Sequence, residues 1–428
     1  TVENVLKVYE IGCQQKYKPA LVQEIQKFGG IILTIDGMQP LKGKKGIYVA
    51  IDHRTKLKLG SRILPNQKEE SIVQFLQDIK ARTMEEIGAP VIAIISDALV
   101  SQRKAIERVF PGIPHCLCHF HFFKLILLEP KKLDSRVMTE IRSELRKLYD
   151  VKQYKDFKAN LEHLESGLLR GRFVDPVLEV LLSLANWVKK QKDPSFSGLL
   201  LFDRLQDVFT LINEARSMIG KKPFTRGEIK TLDRLHEKLA RMVAKIGPMA
   251  SELVAIKRHL KQLKGILNDL TTSKIAGLKK LRKLRDKLRK YRFSSSCKTI
   301  EREFIEALMK FVRTKGEQLF NYKMVDGAPR TNNSHELAYK QLKHLLRKVI
   351  GFSAANAYLL SHGERIIYVD PTLSLEEIVD ILKNMDHVEA RKKIDSERRS
   401  RDSVPLIIHD PPRWNKKMME LREILAAL

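Results

Sequence analysis

The hydrophobic pattern changes character twice along the chain. From about Gly29 to Lys124 short apolar runs alternate with helical stretches. Ile31–Ile35, Gly46–Ile51 and, after the polar turn Asp52-His53-Arg54-Thr55, Leu57–Leu64 predict a three-strand meander. Glu69–Arg82 has Ile72, Val73, Phe75, Leu76 and Ile79 at helical spacing. Val91–Ile95 follows as a buried strand, Ser101–Phe110 as a second helix and Ile113–Cys118 as a further short strand. From about Leu133 to Gln318 strand signals vanish. Apolar residues recur at three- and four-residue intervals, as in Val180-Leu181-Leu184-Trp187-Val188 and Leu232-Leu235-Leu239-Val243, so this stretch reads as an all-helical domain. Asp193-Pro194-Ser195 and Gly220-Lys221-Lys222-Pro223 break it into successive helices. From Phe320 the loop NYKMVDGAPRTNN leads into a helix over Glu336–Val349 with Leu337, Tyr339, Leu342, Leu345, Leu346 and Val349 as its apolar positions. Asn332-Asn333-Ser334 supplies N-cap chemistry and Gly351 the stop. Glu389–Arg401 is dense in mixed charge, and Pro405–Leu428, with Trp414, is a short tail.

This pattern divides the chain into a helical lead-in (1–28), the first part of an α/β domain (29–132), an all-helical insertion (133–318), the last part of the α/β domain (319–370) and a charged helical tail (371–428). The order β-β-β-α-β-α-β is that of an RNase H-like mixed sheet, here interrupted by a large all-α insertion.

Charge narrows the partner. Lys and Arg number 79 against 51 Asp and Glu, a formal charge of +28, which attracts polyanions over the whole surface. Nucleic acid leads. No apolar run approaches the roughly 20 residues a spanning helix needs, so a membrane is not the expected partner. Four cysteines in 428 residues make no disulfide framework and point to a reducing compartment. The densest basic stretch is Gly277–Arg292, where Leu278, Leu281, Leu284 and Leu288 share one side and Lys279, Lys283, Lys287 and Lys290 are among the charges around the rest. It reads either as a solvated helix packed by its leucine stripe or, in addition, as a phosphate-contacting surface.

Two apolar runs each end in a carboxylate: IILTIDG delivers Asp36 and VIAIISD delivers Asp97. Hard carboxylate oxygens on rigid strands are what Mg²⁺ or Mn²⁺ binds, which makes both acids candidates for a divalent-metal site. Each could instead merely cap its strand or the helix that follows. Glu336 in a first helical turn could likewise be no more than a match to the helix dipole.

Taken in order, Asp36, Asp97, Cys118-His119-Phe120-His121, the helical insertion, then Thr331-Asn332-Asn333 with Glu336 resemble the DDE transposases, closest to the Mutator-like branch and its bacterial relatives. The resemblance spans residues 25–370. It implies an RNase H-like catalytic domain, Asp36, Asp97 and Glu336 as the metal-binding catalytic triad, and Cys118 with His121 as the C-x-x-H motif. Arg330 to Asn333 resembles the polar lead-in to the last acid, with Arg330 a candidate DNA contact. It further implies two Mg²⁺ or Mn²⁺ ions, about 3.5–4 Å apart in such sites. Double-stranded DNA, both transposon ends and target, would be cut by water and joined through the freed 3′-hydroxyl. A homodimer or higher assembly on DNA is implied too, at the nucleoid in a prokaryotic cytoplasm or in a eukaryotic nucleus.

His115, Cys116, Cys118, His119 and His121 also invite a zinc reading. Structural zinc draws on two separated ligand pairs, whereas the other cysteines, Cys13 and Cys297, are isolated, so packing and hydrogen bonding of Cys118 and His121 is the plainer account. A non-catalytic DNA-binding protein of transposase descent and an RNase H-like nuclease without strand transfer are the competing functions.

Overall fold

A computed structural model describes residues 2–41, 45–97, 99–147, 174–186, 196–221, 224–369, 373–401 and 419. Side chains at 2, 3, 17, 175, 176, 333–338, 341, 349, 352, 353 and 397–401 lie outside that description. The chain divides into two compact units, residues 1–122 with 321–428, and residues 123–320.

In the first unit, helix α1 (Val2–Phe28) precedes β1 (Ile31–Met38), β2 (Gly46–Asp52) and β3 (Lys58–Leu64). Helix α2 (Glu69–Ala81) runs into a π turn, and β4 (Val91–Ser96), α3 (Val100–Val109) and β5 (His115–Leu117) follow. The sheet has five strands in the order β3-β2-β1-β4-β5, antiparallel across β3, β2 and β1, parallel across β1, β4 and β5. β1 is buried along almost its whole length because both faces of the sheet are covered. Leu33, Ile35, Tyr48 and Ile94 pack with Ile72, Phe75 and Ile79 of α2 and Ile106 of α3. On the opposite face Ile47, Val49 and Ile51 meet helices α11 (Asn333–Ile350) and α12 (Phe352–Ile366) through Tyr339, Leu342, Leu346, Ala355 and Leu359. Gly363 lets α12 lie close on β2, since a Cβ there would stand 2.2 Å from Ile47 Cδ1. Helices α13 (Leu375–Lys383) and α14 (His387–Arg401) complete this unit.

The strand and helix pattern of residues 29–118 is as the sequence predicts, with small shifts at the ends; the last strand shrinks to three residues. Two expectations are corrected. The loop before α11 contains a 3-10 turn, Asn321–Met324. Asn332 stands at the N-cap of α11 without a side-chain capping bond, its carboxamide being used elsewhere. Gly351 does stop α11, at φ 82°.

The second unit is helical: it holds α5 (Leu128–Arg146), α6 (Val174–Asn186), α7 (Ser197–Ser217), α8 (Arg226–Asn268), α9 (Lys274–Tyr291) and α10 (Thr299–Lys315). The short α4 (His119–Ile126) bridges the boundary between units. A Thr225/Glu228 capping box starts α8, whose buried stripe includes Leu232, Leu235 and Leu239. Glu252 of α8 accepts the Glu301 amide at 2.9 Å, which satisfies one of the unpaired N–H groups at the start of α10. Trp187, Val188, the break at Asp193-Pro194-Ser195, Lys222 and Pro223 lie outside the described residues, as do residues 402–418 and 420–428. No helix among the described residues is long and apolar enough to cross a membrane.

Candidate active site

Strand alternation decides where Asp36 points. Leu33 and Ile35 belong to the core under α2 and α3, while Ile32 joins Ala93 and Ile95 on the opposite face, so Asp36 follows Ile32 and Thr34 onto that second face. β1 and β4 are parallel, with Thr34 opposite Ile95. That register ends two residues short of Asp36 and of Asp97, the first residue past β4. Asp36 thus lies in the carboxyl-terminal half of β1 and Asp97 just past the carboxyl end of its parallel neighbour β4. Asp36 is 5 % exposed and Asp97 half-buried. The charges of both reach one hydroxyl, that of Tyr48, whose pKa is raised first by burial and then by Asp97 and Asp36.

Backbone amides hold each carboxylate. Asp36 Oδ1 accepts the Gly37 N–H at 2.8 Å, and Asp97 Oδ1 accepts the Leu99 N–H at 2.9 Å. The second bond is to Leu99, itself the N-cap of α3, so Asp97 is not the residue that caps that helix, and the bond is a local one. It does not exhaust the group, because an ionised carboxylate has about four lone-pair sites. Gly37 is required where it stands: a Cβ would lie 2.8 Å from Cζ of the Tyr48 ring.

Cys118, 1 % exposed, sits just before α4 and acts as its cap. Its Sγ accepts the backbone N–H groups of Phe120 and His121 and, from the other end of the fold unit, that of Asn332 at 3.2 Å. Burial pushes the thiol up, those amides offset part of the rise, and the negative charge of Asp36 adds to it. The raised pKa favours the neutral thiol. The His121 ring meets Phe120 edge-on, at 5.6 Å between centroids. The link between Cys118 and His121 runs through the His121 backbone. Among the described residues no group of three or more His, Cys, Asp or Glu is gathered to hold a metal.

The segment before α11 lies along this corner. The Arg330 carbonyl accepts the His119 N–H at 2.9 Å, Asn321 Nδ2 donates to the His115 carbonyl at 2.8 Å, and Tyr322 packs edge-on against His119. Asn332 Nδ2 donates to the Ile35 carbonyl at 3.1 Å, and Tyr339 Oη donates to the Asp36 carbonyl at 3.2 Å. Glu336 is in the first turn of α11, between these two contacts in sequence; its side chain lies outside the described residues. Arg330 is half-exposed. Lys279, Lys283, Lys287 and Lys290 belong to the second unit, all on the exposed side of α9, whose buried side is Gly277, Leu281, Leu284 and Leu288.

Sequence reasoning missed Tyr48, and it read Tyr339 only as an apolar position. Gly37, directly after Asp36, was a signal that a large neighbour fills its place.

Compared with known families, residues 47–125 match the MULE transposase domain. That stretch runs from β2 into α4 and contains Asp97, Cys118 and His121, with Asp36 before it and Glu336 after it. No curated protein matches the chain. The domain match supports a Mutator-like transposase.

Proposed function

We propose that this chain is a DDE-type DNA transposase in which Asp36, Asp97 and Glu336 form one metal-binding site that cleaves DNA and transfers a 3′-hydroxyl end. The observation that carries this reading is that Asp36 and Asp97 each lie two residues beyond Thr34 and Ile95, the last register pair of the adjacent parallel strands β1 and β4. Strand order β3-β2-β1-β4-β5, with three antiparallel and then two parallel strands, supports an RNase H-like sheet interrupted by the helical unit.

The residues fit divalent metal. Asp36 is buried and Asp97 half-buried, and carboxylate oxygens near the ends of neighbouring strands are donors that a divalent cation can use. All-oxygen donors suit Mg²⁺ or Mn²⁺. Asp36 would be the ligand shared by two ions, with Asp97 and Glu336 completing one each. Bound there, the ions would supply neutralisation of the charge on attacking and leaving oxygens.

The protein's own part is positioning. Gly37 N–H and Leu99 N–H fix the two aspartates, Cys118 fixes the start of α4, and the contacts of Asn332 and Tyr339 fix the start of α11. Duplex DNA would be held by phosphates, with Lys279, Lys283, Lys287, Lys290 and Arg330 as contacts. Assembly as a homodimer or larger on DNA completes the proposal.

The test is a cleavage and joining assay on duplex DNA carrying a labelled 3′-hydroxyl end, with Mg²⁺ or Mn²⁺ added. Transfer of the label to a second DNA supports a transposase. Cleavage without joining leaves a nuclease, and DNA binding without either leaves a non-catalytic binder.

A further inference from the structure

Two residues that bracket Glu336 in sequence reach back to consecutive carbonyls of β1. Asn332, 1 % exposed, donates its Nδ2 to the carbonyl of Ile35, while its own N–H is taken by Cys118 Sγ. Tyr339, buried about two helical turns further on, donates its hydroxyl to the carbonyl of Asp36. The first two turns of α11 are therefore tied at both ends to the strand that carries Asp36. Both acceptors are main-chain oxygens, so the ties leave the Asp36 carboxylate to other partners. Packing alone would not demand this: Leu342 and Leu346 already fasten α11 to the sheet through apolar contact. A hydroxyl and a carboxamide N–H placed in that core are costly unless bonded, and here the Tyr339 hydroxyl and Asn332 Nδ2 are bonded to the residue at or next to the acid, while Asn332 Oδ1 is buried with no partner among the described residues.

We propose that Asn332 and Tyr339 are positioning residues, a two-point clamp that fixes how far the first turn of α11 stands from Asp36. The proposal rests on the function assigned above, in which Glu336 and Asp36 share a metal site. Such constellations need their ligands held to within about 0.5 Å, and loss of a group that orients a ligand typically costs roughly 10–100-fold in metal affinity.

The full chain is compared with Tyr339→Phe, Asn332→Leu and Asp36→Asn. Mn²⁺ binding is followed by electron paramagnetic resonance, DNA binding by anisotropy of a labelled duplex, and folding by circular dichroism. Tyr339→Phe keeps the ring and removes only the hydroxyl. We expect a folded protein with native DNA affinity, Mn²⁺ binding weakened roughly 10–100-fold, and a matching rise in the Mg²⁺ needed for half-maximal cleavage. Asn332→Leu, which removes the other tie at similar volume, is the second arm and should do the same. Wild-type Mn²⁺ affinity in either variant that folds overturns the clamp, whatever happens to its melting temperature. Wild-type Mn²⁺ affinity in Asp36→Asn overturns the metal site itself, and the clamp falls with it.

Discussion

Gly37→Ala tests the corner at its tightest point. The added methyl would press on the Tyr48 ring, which also makes an edge contact with Phe75 at 6.2 Å between centroids. Overpacking of this kind costs about 1–3 kcal/mol, read as a lower melting temperature. An unchanged melting temperature would mean that the ring moves aside freely. His53, in the turn after β2, gives a pH test. Its pKa is pulled down to about 4 by burial first and then by the neighbouring Lys56, against an ordinary 6.5. The unfolded chain thus takes up a proton at a pH where the folded protein does not. The stabilisation from a neutral His53 is full above pH 6.5 and is lost as pH falls toward 4. His53→Gln should flatten melting temperature against pH over that window, and a slope parallel to that of the native protein would contradict the assignment. At this scale the two aspartates were legible, because an apolar run ending in one carboxylate is a local pattern. The Tyr339 hydroxyl was not: its acceptor lies 303 residues away, and no local spacing encodes that.

Among the elements, α9 carries the most direct prediction. Lys279, Lys283, Lys287 and Lys290 are exposed, whereas Lys280 is engaged by Asp269 at 2.8 Å. Reversing those four to Glu should weaken duplex binding and reduce the steepness of its salt dependence by about 0.9 in log–log slope for each phosphate no longer neutralised. Melting should change little, since exposed charges away from buried contacts shift stability only slightly. Native affinity in the folded variant would leave α9 with its leucine stripe as its whole role. The strands and the helices α2 and α3 were legible because their apolar periods are long and distinct. Helices α12 and α13 were not assigned. α12 is rich in small residues such as Ala355 and Gly363, which blur its apolar stripe, although they are what lets it approach the sheet. α13 did carry a readable start, the Ser374/Glu377 capping box. Asn332 failed in the opposite sense: its residue type suits a cap, but a buried carbonyl of β1 claims the side chain.

Over the whole molecule, the informative feature is that a chain leaving the sheet after β5 passes through an entire helical unit and returns at Asn321 to the same corner. The length between Asp97 and Glu336 implied a domain there, because an unstructured loop of that size does not fit a compact fold. What composition and period could not give was the return itself, which is written in the bonds of His119 to Arg330, Cys118 to Asn332 and Asp36 to Tyr339. If these join three acids into one site, their losses cannot add: removing one ligand already disables the pair of ions, so a second removal has little left to take away. The most direct measurement is Mg²⁺-dependent DNA cleavage by Asp36→Asn, Asp97→Asn, Glu336→Gln and the Asp36→Asn/Glu336→Gln double variant, alongside their DNA affinities. The account predicts a loss of roughly 10³-fold or more in every single variant, a double variant scarcely worse, and DNA binding retained throughout. Near-native cleavage by Glu336→Gln would contradict it, leaving that residue the roughly 0.3–1 kcal/mol role of an acid at a helix N-terminus.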